Sequence, residues 1–166
     1  MHIQGGTVMI KYPIFYKDHV HEAWIDRNGH MNDAEYARVF SLSIDHFHDQ
    51  VGLTNSERDA RNYTVFTLEN HITYIKELKK DTPFKVEIAI YDMDEKRTHF
   101  FQTLYNATTQ EVCATAETMM MGMDRNTRKP APFPDDVYTH IQTYQASQGD
   151  ITFPEQLGHT IGIPKK

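Results

Sequence analysis

Apolar residues recur at intervals of three and four in the first third of the chain, which is the period of an amphipathic α-helix. They run from Tyr36 to Val51 and predict a helix over residues 33–51 with one apolar face. Asn32 is a favourable N-cap, Glu35 follows at the position that completes a capping box, and Gly52 stands where a C-terminal cap belongs. Both ends of this helix are therefore marked in the sequence.

Strand-like segments surround this helix. Residues 14–25 read as extended, and residues 54–62 read as a polar loop with a helical turn. Beyond that loop the period of the apolar positions changes from 3.6 to 2. The strands predicted there cover residues 63–78, 84–90, 98–106 and 112–123. This order predicts an α+β fold, in which an antiparallel sheet of about five strands wraps around the apolar face of a long central helix.

The remaining segments flank this core. Residues 1–11 are weakly patterned and are treated as an N-terminal extension, while residues 12–134 form the predicted domain. Prolines at 130, 132 and 134 end the core. Residues 135–166 are expected to pack on the domain, beginning with a helix over 135–147 whose apolar side carries Val137, Tyr138, Ile141 and Tyr144.

Composition narrows the class of protein. The chain has 166 residues, 39% of them hydrophobic and 24% charged, which excludes a disordered or coiled-coil chain and fits one domain. The longest apolar run is too short to span a membrane, and the first residues do not resemble a secretion signal. The net charge of −6 disfavours nucleic-acid binding. Cys113 is the only cysteine, is expected to be a small buried residue, and fits a reducing cytoplasm.

The loop over residues 26–32 is the strongest candidate for chemistry. A carboxylate at Asp26 lies at a strand-to-helix junction, close to the free N–H groups and positive dipole end of the helix. Such a place can stabilise an oxyanion while an aspartate acts as a base or a nucleophile. Turn chemistry explains Asp26, Asn28, Gly29 and Asn32 equally well. It does not explain His30.

A family resemblance favours the functional interpretation. Residues 24–36 read WIDRNGHMNDAEY, which resembles the Asp-x-Asn-Gly-His-Met-Asn signature opening the central helix of hotdog-fold acyl-CoA thioesterases of the 4-hydroxybenzoyl-CoA thioesterase type. The resemblance continues through residues 69–78, 96–101, 114–119 and 131–134. With these segments and the segment GHTIGIP at 158–164, the chain resembles in particular the betainyl-CoA thioesterases of carnitine breakdown.

The resemblance implies hydrolysis of a small acyl-CoA thioester, with betainyl-CoA as the best single substrate. Asp26 matches the catalytic aspartate of the family and would attack the thioester carbonyl or activate a water. His30 and Asn32 match further positions of the motif and are assigned to catalysis. Backbone N–H groups near Asn32 and Asp33 would hold the carbonyl oxygen. No cofactor is expected, because coenzyme A is part of the substrate. The resemblance also implies a cytoplasmic homodimer or homotetramer with sites at the subunit interface.

A betaine group would need aromatic or acidic surroundings, because its trimethylammonium cannot donate hydrogen bonds. Cation–π contacts of about 0.5–2 kcal/mol per ring favour aromatic walls. The assigned substrate-binding residues are Trp24, Asp33, Tyr36 and Glu69, with Phe66 and Tyr74 as further aromatic candidates. Aromatic residues on such segments also fill cores, and the core interpretation competes with this one at each position.

Three alternatives stay open. The substrate could be another short or medium acyl-CoA, or the chain could be a non-catalytic module that binds acyl-CoA. The third is a metal protein, because the ten histidines include His19 and His21, whose spacing places both side chains on one face of a strand. His46 and His48 diverge on the helix. Neither pair has a well-spaced acidic or cysteine companion, and no metal is expected.

Overall fold

A computed structural model describes residues 10–166 and shows one antiparallel sheet with three α-helices in that range. The strands are β1 (Ile14–His19), β2 (Tyr63–Tyr74), β3 (Pro83–Met93), β4 (Arg97–Asn106) and β5 (Val112–Asp124). The helices are α1 (Asp33–Gln50), α2 (Asn55–Arg61) and α3 (Asp135–Ser147). The sheet order is β1-β3-β4-β5-β2, so β1 and β2 form its two edges. Most of the weakly patterned extension, residues 1–9, lies outside the described residues.

Helix α1 begins at the predicted residue, Asp33, and ends one residue earlier than predicted, at Gln50. The Asn32 side chain accepts a hydrogen bond from the backbone N–H of Ala34. At the other end Gly52 has φ +104°, a conformation that costs glycine little. This allows the N–H of Leu53 to reach the carbonyl of His48 at 2.8 Å, which closes a Schellman motif. The predicted reciprocal capping box is absent, because the Asn32 N–H that Glu35 would accept from donates instead to the Trp24 carbonyl at 2.9 Å.

The core lies between α1 and the inner face of the sheet. Alternate residues of β3 point inward and are fully buried, as a period of two requires: Phe84, Val86, Ile88 and Ile90. From α1 the buried residues are Tyr36, Val39, Phe40, Ser43, Ile44, Phe47 and His48. Gln102 of β4 also ties the sheet to the helix, by donating a hydrogen bond to the Phe40 carbonyl at 3.2 Å.

The outer face of the sheet is partly covered. Phe153, in the segment after α3, contacts Tyr91 and Phe101 edge-on. Strand β4 is therefore buried on both faces over Phe100 and Phe101, as its apolar pattern predicts. Cys113 is buried and makes no disulfide, also as predicted. No helix within residues 10–166 is long and apolar enough to cross a membrane.

Two sequence predictions of local structure are corrected and a third is confirmed. The extended segment predicted over 14–25 ends at His19, and a 3₁₀ turn over Glu22–Trp24 follows it. The helical turn predicted within 54–62 is α2, whose N-cap Thr54 accepts a hydrogen bond from Glu57 N–H. Strand β2 stops at Tyr74 rather than at residue 78.

Candidate active site

The loop from Ile25 to Met31 folds back on itself as a tight turn. Ile25 and Met31 form an antiparallel bridge, and the Asp26 N–H donates to the His30 carbonyl at 3.0 Å. Within the turn the Asn28 N–H donates to Asp26 Oδ1 at 2.8 Å. Gly29 has φ +82°, which a side chain would strain. Turn chemistry therefore uses one carboxylate oxygen of Asp26 and leaves Oδ2 without a hydrogen bond among the described residues.

Two backbone hydrogen bonds hold this turn against the rest of the fold. The Met31 N–H donates to the Leu78 carbonyl at 2.8 Å, and the Asn32 N–H donates to the Trp24 carbonyl at 2.9 Å. Trp24 is buried beside His21 and Phe84, with ring centroids at 4.3 and 6.3 Å. The buried indole of Trp24 therefore anchors the end of the chain segment that enters the loop.

The first turn of α1 leaves one N–H unused. The Asn32 N–H is bonded to Trp24, and the Ala34 N–H is bonded to the Asn32 side chain. The Asp33 N–H makes no hydrogen bond among residues 10–166. It is a free donor at the positive end of the helix dipole, where an oxyanion is stabilised. Of the N–H groups expected near Asn32 and Asp33 to hold the carbonyl oxygen, that of Asp33 is the one left free.

These groups meet at a cavity of about 390 Å³. Its lining residues come from the loop, the start of α1 and the end of β2: Asp26, Asn28, His30, Asp33, Tyr36, Tyr74, Ile75, Lys76 and Glu77. One cavity thus combines a carboxylate with a free oxygen and the residue that carries the free N–H. A carboxylate base or nucleophile beside an oxyanion donor is the combination that acyl transfer needs.

Carboxylates dominate the charge of this cavity. Asp26, Asp33 and Glu77 all line it. His30 Nε2 lies 3.4 Å from Glu77 Oε2, which orients the imidazole beside the loop. Lys76 also lines the cavity, but its ammonium group pairs with Glu111, which lies outside the cavity. The cavity is therefore suited to a group with positive charge.

Two tyrosines form an aromatic corner in the same cavity. The rings of Tyr36 and Tyr74 meet edge-on, with centroids 5.2 Å apart and planes at 89°. The Tyr74 hydroxyl donates to the Asp33 carbonyl at 3.0 Å, which fixes that ring. Burial raises the pKa of Tyr36 to about 12 and also raises the pKa of Tyr74, chiefly again through burial. Both phenols therefore stay protonated at neutral pH.

Known proteins are similar to this chain in sequence and fold. The profile of the Thioesterase-like superfamily matches residues 20–141. The chain belongs to this superfamily. It is 31% identical to a betainyl-CoA thioesterase of Pseudomonas aeruginosa over 90% of this chain and 94% of that protein. It is also 29% identical to an L-carnitine dehydrogenase/betainyl-CoA thioesterase of Rhizobium meliloti. That match covers 86% of this chain and 29% of the longer protein.

A solved structure extends the likeness. A hypothetical protein from Staphylococcus aureus, determined in complex with CoA, has a TM-score of 0.89 and 43% identity, covering 94% of this chain and 98% of the other. The α+β hotdog fold expected from the sequence is therefore confirmed, with α1, of 18 residues, as the longest helix of residues 10–166.

The structure brings together only some of the residues assigned from sequence. Asp26, His30, Asp33 and Tyr36 line the cavity of about 390 Å³. Asn32 adjoins it as the helix cap. Their roles stay predictions.

Two other assigned residues do not reach this cavity. Trp24 is 8% exposed and belongs to the core behind the loop. Glu69 lines a different cavity of about 290 Å³, together with His71, His99 and Glu117. Among the other aromatic candidates, Phe66 is exposed on edge strand β2 and only Tyr74 lines the cavity.

Lys76 and Glu77 were missed because they were placed inside a predicted strand. They follow the actual end of β2, where the backbone N–H groups of Ile75 and Lys76 both donate to the Cys113 carbonyl, at 2.9 and 3.0 Å. The signal that pointed to them was the alternating charge of Lys76, Glu77 and Lys79, which fits an exposed turn better than a buried strand.

A larger cavity, of about 530 Å³, lies on the outer face of the sheet beneath residues 151–156. Its walls are mostly aromatic and aliphatic, and its carboxylate, Glu87, accepts a hydrogen bond from the Tyr12 hydroxyl. It contains neither the free N–H at the start of α1 nor Asp26. Chemistry rather than size therefore places the candidate active site at the smaller cavity.

One of the two histidine pairs lies as predicted, and the other does not. His46 lies near Tyr16, whereas His48 is buried against Phe100, so this pair diverges as predicted. His19 and His21 do have an acidic companion, because the ligating atoms of Asp18, His19 and His21 lie within 4.8 Å of one another. The expectation that neither pair has such a companion is wrong.

Proposed function

We propose that this chain hydrolyses the thioester of a small acyl-CoA to the free acid and CoA, and that betainyl-CoA is the substrate its cavity fits best. Membership of the Thioesterase-like superfamily supports the reaction. The observation that carries the proposal is local: the unbonded oxygen of Asp26 and the unbonded N–H of Asp33 belong to residues lining one cavity. Two named betainyl-CoA thioesterases among the relatives support the acyl group.

In the proposed mechanism Asp26 acts through its free carboxylate oxygen. It either adds to the thioester carbonyl, giving an anhydride that water then opens, or removes a proton from a water that adds directly. In both routes the Asp33 N–H donates to the carbonyl oxygen as negative charge develops on it. The carbon–sulfur bond breaks, CoA leaves as thiolate, and the proton from water returns to it. A thiolate leaves readily, so these two groups and good positioning suffice without a cofactor.

Two further residues of the motif support Asp26 in this proposal. His30, held by Glu77 at 3.4 Å, is assigned to orient the substrate or the carboxylate. Asn32 is assigned to set the start of α1, because its side chain caps the Ala34 N–H. In this assignment Asn32 positions the Asp33 N–H, and His30 positions the groups around Asp26.

Geometry restricts which groups can recognise betaine. One methylene separates its quaternary nitrogen from the carbonyl carbon, so the cation must sit in the cavity that contains Asp26. We therefore assign the cation to the corner of Tyr36 and Tyr74, with Asp33 and Glu77 supplying negative charge. Cation–π contacts are worth about 0.5–2 kcal/mol per ring. Trp24 and Glu69 do not line this cavity in one chain and receive no role in this assignment.

We further propose that the chain forms a cytoplasmic homodimer through β2. Strand β2 is an edge strand with large exposed apolar side chains, Phe66 at 43% and Leu68 at 50%. Such an edge is a template for pairing with another strand. The free thiol of Cys113 fits a reducing compartment.

A matched pair of substrates tests the function. Betainyl-CoA and 3,3-dimethylbutyryl-CoA have the same shape and differ in the charge of the central atom. We expect thiol release from both, with the ratio of kcat/KM to the uncatalysed hydrolysis rate at least about tenfold higher for betainyl-CoA, because two rings and the carboxylates act only on the cation. The uncatalysed rates are measured alongside, because the ammonium group itself activates the carbonyl, and equal ratios would retain the thioesterase and reject betaine. Binding of both esters without thiol release would reject hydrolysis and favour an acyl-CoA-binding module.

A further inference from the structure

Three metal-ligating side chains converge at the end of β1, outside the cavity that contains Asp26. Asp18 Oδ1 lies 3.1 Å from His21 Nε2 and 3.3 Å from His19 Nδ1. All three ligating atoms lie within 4.8 Å of one another. The proposed thioester hydrolysis uses none of them.

These separations suit a shared ion. In a tetrahedral site with metal–ligand bonds of about 2.0–2.1 Å, neighbouring ligand atoms are about 3.3 Å apart. Both separations that involve Asp18 already have this length. The histidine rings stack with centroids 4.4 Å and planes 20° apart, so one of these exposed side chains has to rotate before both in-plane nitrogen lone pairs point at the same ion. The three ligating atoms already lie within 4.8 Å of one another, so this rotation does not require the backbone to move.

The donor set selects the kind of ion. Two imidazole nitrogens and one carboxylate favour Zn²⁺, Co²⁺, Ni²⁺ or Cu²⁺ over Mg²⁺ and Ca²⁺, which prefer oxygen ligands. We propose that Asp18, His19 and His21 form a binding site for a divalent transition-metal ion, with Zn²⁺ as the reference ion. The side chains of His19 and His21 are 54% and 44% exposed, so solvent reaches the site and water completes the coordination.

The backbone between the ligands is firmly held. Val20 is fully buried; its N–H donates to the Thr82 carbonyl at 3.0 Å, and its carbonyl accepts from the Asp81 N–H at 2.8 Å. The His21 ring rests on Trp24. The ligands thus flank an anchored residue, and a bound ion would connect the end of β1 to the 3₁₀ turn that precedes the catalytic loop.

Metal binding by the full-length protein tests this site. The protein is prepared without a polyhistidine tag, cleared of metal with a chelator and titrated with Co²⁺ while visible absorption is recorded. Equilibrium dialysis then measures Zn²⁺ by elemental analysis. We expect one ion per chain at micromolar Zn²⁺, and no competition from a large excess of Mg²⁺. His21→Ala and Asp18→Asn should each weaken the affinity by about tenfold or more.

A matched variant separates this site from adventitious binding. His159 is an exposed histidine elsewhere on the surface, so His159→Ala should leave the affinity for Zn²⁺ unchanged. Circular dichroism checks that each variant is folded, and Asp18→Asn preserves side-chain shape where His21→Ala removes a packing contact. Equal Zn²⁺ affinity in wild type, His21→Ala and Asp18→Asn would overturn the proposal, as would absence of Zn²⁺ binding at micromolar concentration.

Discussion

Replacing Asp26 by asparagine separates the chemistry of this side chain from its role in the turn. The amide keeps an oxygen where Asp26 Oδ1 accepts the Asn28 N–H at 2.8 Å. The backbone bond from Asp26 to His30 is unaffected, because it involves no side chain. We therefore expect Asp26→Asn to change the free energy of unfolding by no more than about 0.5 kcal/mol.

The same substitution removes the group that the proposed reaction needs. An amide oxygen is neither an effective base nor an effective nucleophile at neutral pH. General-base catalysis contributes about 10²–10⁴-fold to the rate, which corresponds to about 2.7–5.4 kcal/mol of transition-state stabilisation. The kcat for betainyl-CoA should fall by that factor. KM should rise only modestly, because Asp33 and Glu77 still provide negative charge in the cavity.

The assay is thiol release from betainyl-CoA, with the melting temperature of each variant measured in parallel. Asp49→Asn is a matched control, because it makes the same chemical change on an exposed residue near the opposite end of α1. It should leave kcat unchanged. The reasoning is refuted if Asp26→Asn retains wild-type kcat, or if its kcat falls only in proportion to a loss of folded protein.

Three further predictions concern selectivity, pH and packing. Tyr74→Leu should reduce the preference for betainyl-CoA over 3,3-dimethylbutyryl-CoA by about 2- to 30-fold. Tyr74→Phe keeps the ring and loses the hydrogen bond to Asp33, so it should preserve this preference. An equal loss of preference in both variants would contradict a cation–π role. Burial, followed by the charge of Arg58, lowers the pKa of His48 to about 3, so below pH ~6.5 the unfolded chain binds a proton that the folded chain does not. Urea unfolding should therefore show a loss of about 2 kcal/mol from His48 between pH 7 and pH 5, which His48→Leu should abolish; an unchanged pH dependence would refute it. A Cβ at Gly122 would lie 1.7 Å from the Tyr63 hydroxyl oxygen and 2.8 Å from the Ala131 carbonyl oxygen. Gly122→Ala should therefore lower the free energy of unfolding, measured by calorimetry, by about 1–3 kcal/mol. Gly162 has open space around it, so Gly162→Ala should leave this free energy almost unchanged.

Local signals located the elements whose ends are determined by neighbouring residues. The predicted start of α1 matches because Asn32 caps it, and its end differs by one residue because Gly52 closes the Schellman motif. The turn at 26–32 was also accessible, since its bonds join residues within the motif itself. The 3₁₀ turn at Glu22–Trp24 was not. Its apolar residues resemble those of a strand, and the burial of Trp24 against Phe84 is a contact across the fold.

The side of the cavity formed by Tyr74, Lys76 and Glu77 depends on a contact that the apolar pattern of the sequence does not predict. Strand β2 ends because one carbonyl, that of Cys113, accepts the N–H groups of both Ile75 and Lys76. This pairing involves residues far apart in sequence, and it turns Lys76 and Glu77 out of the strand toward the start of α1. The part of the cavity that carries Asp26, Asp33 and Tyr36 is thus local and readable from a motif. The part that carries Tyr74 and Glu77 depends on tertiary pairing, which the sequence pattern alone does not reveal.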